Sequence, residues 1–173
     1  MAKFTELPLG PCQIKFGGVN LGDTTENCVF RYSEDDAVIN VAQQGTTPVD
    51  EIVVGHTTEF EVELTRTQIA TIASLMAGAD NSGSSGDEIE VRNRIGVSRY
   101  DNAALLEIIP IVGANQASTD PHGPIYMYKA APKSDMEVNY NNSDQRSFRV
   151  TFVAYPDQTE GKNYRIWGNQ KDA

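Results

Sequence analysis

From Gly17 to Leu64 the chain is a run of short alternating stretches broken by Gly, Pro and Asp, and it leads directly into one amphipathic helix. Phe60-Glu61-Val62-Glu63-Leu64 shows the pattern most cleanly: strict period-two alternation buries one face of a strand and leaves the other acidic. A chain that devotes this much length to half-buried strands is committed to sheet.

The same reading extends along the chain. Gln13–Phe16 and Val19–Leu21 form a short hairpin about Gly17-Gly18. Cys28–Tyr32 and Ala37–Val41 are the next strands, rich in the β-branched and aromatic residues that pleated surfaces favour, with Ser33–Asp36 as a tight polar connection. Gln43–Thr57 contains Gly45, Pro48, Asp50 and Gly55 around the apolar Ile52-Val53-Val54. Pro48 lacks an N–H and argues against a central strand, so this segment reads as a long, partly extended loop with too apolar a centre for a free linker.

Beyond it, Ile69, Ile72, Ala73 and Met76 make one apolar stripe of a helix over about residues 66–77, with Thr65 as N-cap and Gly78 as stop. Ala79–Asp87 reads as a flexible surface loop. Glu88–Gly96, Leu105–Val112, Ile125–Lys129, Met136–Tyr140 and Ser147–Tyr155 read as strands, and Ala114–Pro124 as a loop. Pro110 places its strand at an edge or a bulge. The tail from Pro156 is polar apart from Tyr164, Ile166 and Trp167. About eight strands to one helix, with turns every 8–12 residues or so, predict a mainly β protein: a β-sandwich or barrel-like fold with one flanking helix. Residues 1–173 fit a single domain with extended N- and C-terminal segments and a long loop near 43–57.

Chemistry is hard to find. His56 and His122 lie outside any HxH, HExxH or Cys/His cluster, so no metal site is expected. GxSxG, GxxxxGK[ST] and GxGxxG are absent, which removes the usual signals for a serine nucleophile or a phosphate cradle, and no cofactor is expected. Glu61 with Glu63, and Glu88 with Glu90, place paired carboxylates on one strand face, as a glycosidase would need; a wet face of an alternating strand explains them as well. The expectation is a protein that is not an enzyme. Cys12 and Cys28 lack a CxxC partner and read as reduced thiols of a cytosolic chain. No apolar run approaches the roughly 20 residues of a membrane helix, and the N-terminus lacks a signal-peptide layout, so folding in the cytoplasm without a membrane is expected.

The net charge of −10 is unevenly spread. Residues 34–90 carry twelve acids against the single base Arg66, whereas the rest of the chain is nearly balanced. Such a surface repels polyphosphate and argues against specific nucleic-acid binding. It also suits either plain solubility or a conduit that must not hold on to DNA.

Two stretches resemble one family. Val19-Asn20-Leu21-Gly22-Asp23-Thr24, then Gln44-Gly45-Thr46-Thr47-Pro48-Val49-Asp50, Gly55 and the strand into Leu64 are similar to the N-terminal half of phage tail tube (major tail) proteins. In those proteins an LGxT element precedes a GxTPVD loop. Tyr128–Asp135 and Phe148–Asp157 resemble their C-terminal strands, which close on a VTFxAxPD-like run. Glu26-Asn27 departs from a glycine pair common there, and residues 79–124 match nothing in the family.

The resemblance implies a virion structural protein, assembled in the host cytoplasm. Its subunits form homo-hexameric rings that stack into a tube. The tube encloses the tape-measure protein, meets the tail terminator and the baseplate or tail-tip proteins, is wrapped by a sheath if the tail contracts, and passes DNA without binding it specifically. Thr47, Pro48, Val49, Asp50, Ile52, Val53 and Val54 are then the candidates for joining subunits or rings. Glu34, Asp35, Asp36, Glu59, Glu61 and Glu63 are candidates for lining the lumen. The alternatives are a β-sandwich binding or decoration module of a phage particle, with Trp167 and Tyr164 as its aromatic platform, or the tube protein of a related contractile secretion system.

Overall fold

The computed structural model describes residues 11–65, 68–76, 79–82, 88–91, 95–112, 116–117, 123–139, 147–158 and 167–168. The strands are β1 (Cys12–Phe16), β2 (Val19–Asn20), β3 (Thr24–Asn40), β4 (Pro48–Leu64), β5 (Ala79–Ser82), β6 (Glu88–Val91), β7 (Ala104–Val112), β8 (Gln116–Ala117), β9 (Ile125–Asn139), β10 (Ser147–Ala154) and β11 (Trp167–Gly168), with helix α1 (Ile69–Leu75) after β4. The protein is mainly β with one helix among the described residues. Its principal sheet is antiparallel, in the order β2-β1-β7-β9-β10-β4-β3, with β8 beside β7 and β11 beside β9; β5 and β6 pair separately.

The sheet does not lie flat. β1 and β3 belong near opposite ends of the strand order, yet the Thr24 hydroxyl donates to the Cys12 carbonyl at 3.1 Å and the Cys12 and Cys28 sulfurs stand 3.1 Å apart. The sheet curls back on itself, which realises the barrel-like form of the expected fold, and β1 and β3 meet at its seam. Alternation supplies the interior. Ile14 and Phe16 of β1, Phe60, Val62 and Leu64 of β4, Leu106 and Ile108 of β7, Met127 of β9, and Val150 and Phe152 of β10 form one buried cluster with Leu21 and Leu75. Phe16 and Phe152, three strands apart, touch across it with ring centroids 5.3 Å apart. The turn between β1 and β2 has positive φ at both Gly17 (56°) and Gly18 (82°), a geometry costly for any residue with a Cβ.

Five local expectations need correcting. Ser33–Asp36 do not turn; they are extended within a 17-residue β3 because Thr57, His56, Gly55 and Val53 of β4 pair with them. The loop expected over Gln43–Thr57 is mostly strand: a 3-10 turn over Ala42–Gln44 and Gly45 at φ 66° reverse the chain, and β4 starts at Pro48. A proline costs no ladder bond at the end of a strand, so it marks the start of β4 rather than excluding it. Thr65 is not the helix cap, since its N–H and hydroxyl both donate to the Asp23 carbonyl; Gln68 precedes the helix instead. The expected stripe holds only in part: Ala73 is buried and Ile72 and Met76 are half-buried, but Ile69 is exposed, and Thr71 and Leu75 are buried instead. Finally, Ala79–Ser82 of the expected loop pairs with β6. Gly78, the expected stop, lies outside the described residues.

The prolines inside strands obey the edge rule locally. Pro110 faces Cys12 of β1 at a point where the ladder with β9 has already ended, and Pro132 faces Phe152 of β10 beyond the ladder with β7. Each therefore has a ladder strand on one side only. This lets Ile125–Lys129 and Met136–Tyr140, expected as separate strands, run together as β9 through to Asn139.

Candidate functional site

β3 and β4 pair along almost their whole length, but β10 pairs with β4 only from Glu59 to Leu64. The half of the hairpin beyond Arg31 and Thr58 therefore projects as a two-stranded arm, and its residues whose burial is described are exposed apart from the half-buried Gly55. Register fixes what each face of the arm presents, because residues directly opposite share a face. Tyr32 opposite Thr58, Glu34 opposite His56, Asp36 opposite Val53 and Val38 opposite Glu51 lie on one face; Ser33, Asp35, Ala37 and Ile39, opposite Thr57, Gly55, Ile52 and Asp50, lie on the other. Val54 is left over at a bulge between the Gly55 and Val53 pairs, and Val49 at a second bulge near the tip.

Apolar side chains thus occur on both faces of the arm. Val38 and Ile52 are each 50 % exposed, Val53 is 53 % and Val54 66 %. A two-stranded ribbon with no third strand is marginal in water, and its free edges invite a further strand. All the residues expected to join subunits are here: Thr47 in the turn, and Pro48, Val49, Asp50, Ile52, Val53 and Val54 on β4. All but Thr47 stand on a strand rather than in a loop.

The six candidate acids separate into two settings. Glu34, Asp35 and Asp36 lie on the arm, where the Tyr32 hydroxyl donates to Glu34 at 2.7 Å and the carboxylate holds the phenol above its usual titration range. Among the described residues no cation pairs with these three acids. Glu59, Glu61 and Glu63 alternate with the buried Phe60, Val62 and Leu64, on the outer face of the barrel, as the sequence predicts. There Arg31 of β3 and Arg149 of β10 approach Glu61 at 2.7 and 3.6 Å, Lys133 of β9 approaches Glu59 at 3.8 Å, and the Thr25 hydroxyl donates to Glu63. The outer face is a lattice of both signs. Each of its exposed pairs contributes at most about 1 kcal/mol, so its role is charge balance more than stability.

The third concentration of chemistry is the seam. Cys12 is buried, Cys28 is half-buried, and both are free thiols. Cys12 donates to Cys28; that bond lowers the Cys28 thiol to about 7 and drives the Cys12 thiol upward. Among the described residues no group of three or more His, Cys, Asp or Glu side chains is placed to hold a metal. Among them, too, no helix is long and apolar enough to cross a membrane. His56 stands exposed on the arm beside Tyr32, with ring centroids 6.2 Å apart. His122 and Tyr164 lie outside the described residues, and Trp167 pairs through its backbone with Met127.

Sequence reasoning missed Tyr32, Val38 and Ile39, the β3 side of the arm. Their signal was composition rather than period: apolar Ala37–Ile39 after the acids and apolar Ile52–Val54 after Pro48 flank Gly45, which reads as one long hairpin once Pro48 is allowed to begin a strand. It also missed the cations Arg31, Lys133 and Arg149; the last two lie 102 and 118 residues after Arg31 and come near it only through the strand order. No family model matches the chain, and no curated protein matches it.

Proposed function

We propose that this chain is a wall subunit of a phage tail tube, or of the tube of a related contractile secretion system, whose copies associate through the β3–β4 arm into rings that stack. The observation that carries the reading is the arm itself: a ribbon projecting from a filled barrel, with exposed apolar side chains among the acids of both faces and open edges on both sides. An isolated subunit gains nothing from this element. A neighbouring copy that covers it removes apolar surface from water at about 25 cal/mol per Å² and satisfies its edges. Contacts of this head-to-tail kind close into a ring or continue along an axis, and six copies per ring is the number the family resemblance implies. The resemblance also makes DNA and a tape-measure protein the contents of the bore.

The charge distribution fits the same reading. If the outer face of β3, β4 and β10 lines the bore, it presents Glu59, Glu61 and Glu63 to passing phosphate together with Arg31, Lys133 and Arg149. A surface of interleaved signs neither captures nor strongly repels a polyanion; of the arm acids, Asp35 shares this face, while Glu34 and Asp36 lie on the other. Negative-stain electron microscopy of the purified chain tests the proposal. Rings or tubes of uniform diameter are expected; particles that remain monomeric at tens of micromolar and above would remove it in favour of a binding module.

A further inference from the structure

We propose that Cys12 and Cys28 form a redox modification site, which a small-molecule disulfide converts to an internal cystine that staples β1 to β3 across the seam of the barrel. The proposal stands on the seam alone and is independent of whether the chain builds a tube. The two residues are sixteen apart in sequence and on strands that share no ladder, yet their sulfurs are 3.1 Å apart. Closing to a bond of about 2.05 Å needs a movement of about 1 Å. The backbone can supply it, because the β3–β4 register slips between Thr24 and Cys28, leaving Cys28 next to an irregular stretch of its strand. The Thr24 hydroxyl holds the Cys12 carbonyl meanwhile, so the two strands stay in place as the bond forms.

The order of events follows from the asymmetry of the pair. Cys28 is the more exposed sulfur, and the hydrogen bond from Cys12 stabilises its thiolate. The Cys28 thiolate attacks one sulfur of the small disulfide RSSR; the S–S bond breaks, RS⁻ leaves and takes up a proton, and Cys28 becomes a mixed disulfide. Cys12 no longer faces a thiolate, so it loses its own proton more readily and attacks the Cys28 sulfur. A second RSH departs. The protein loses two protons and two electrons, and RSSR takes up both to become two RSH.

The test uses the full chain, reduced, freed of reductant and then exposed to oxidised glutathione. The expected product has lost the mass of two hydrogens, has no thiol that reacts with maleimide under denaturing conditions, yields a Cys12–Cys28 linked peptide, and melts roughly 5 °C higher than the reduced form, reversibly with dithiothreitol. In Cys12→Ser, where the second step is blocked, Cys28 is expected to stop as the glutathione adduct. Two free thiols surviving in the wild-type chain, a stable wild-type glutathione adduct, or covalent dimers in place of the internal link would each overturn the proposal.

Discussion

Thr58 is where the interior of the molecule ends. Its residue is 1 % exposed, and its Oγ1 is buried without a hydrogen-bond partner among the described residues. Next to it in the same strand the core continues inward with Phe60, while the arm begins outward with Thr57. An unpaired buried hydroxyl costs about 1–3 kcal/mol relative to the same group in water, and valine has nearly the same shape. Thr58→Val is therefore expected to raise stability by about 1 kcal/mol and the melting temperature by roughly 2–4 °C, measured by calorimetry. A fall would mean that the hydroxyl has a partner the isolated subunit does not show. Phe60, Val62 and Leu64 were legible in the sequence because each strand residue reports its own face through alternation. Cys12 and Cys28 were not legible as a pair. Their contact depends on how far the sheet curls, a property of all its strands together.

At the scale of the element, the arm and the barrel are separable. The strands of the barrel were readable because their buried faces impose a period, and the segments Gln13–Phe16, Leu105–Val112 and Ser147–Tyr155 match β1, β7 and β10 closely. The arm has no buried face, so no period marks it; its turn residues and Pro48 then suggest a loop. The helix went astray for a related reason. Its seven residues are held by Leu75 in the core and by the β5–β6 hairpin beside it, with Thr71 buried and the more apolar Ile69 exposed. The separability has a direct consequence. Replacing residues 34–56 by Asn-Gly joins Ser33 to Thr57, which already face each other in the ladder, through a turn that suits a two-residue hairpin. The shortened chain is expected to melt within about 3 °C of the full one, since the exposed arm adds little burial, and to form no rings or tubes. Loss of folding would show that the barrel leans on the arm, and intact tubes would remove the arm from assembly.

At the scale of the whole molecule, the subunit combines a surface that favours association with a net charge that opposes it. Each copy carries −10, concentrated in the third of the chain that includes the arm. The remaining segments are nearly neutral, so a neighbouring copy brings little net positive charge to set against the arm. Apolar burial is then the attractive term and like-charge repulsion the resisting one. The two respond differently to salt. Screening shortens the reach of the repulsion from about 30 Å at 0.01 M to about 8 Å at 0.15 M, while burial of Val38, Ile52, Val53 and Val54 is almost untouched. Raising sodium chloride from about 0.02 M to about 0.5 M should thus lower the concentration at which the chain assembles, severalfold by light scattering at fixed pH and temperature. The chain with residues 34–56 replaced should show no such response. Assembly that weakens as salt rises would mean that pairing between acids of the arm and bases of the next copy holds the wall together, and that the apolar residues of the arm are not its main adhesive.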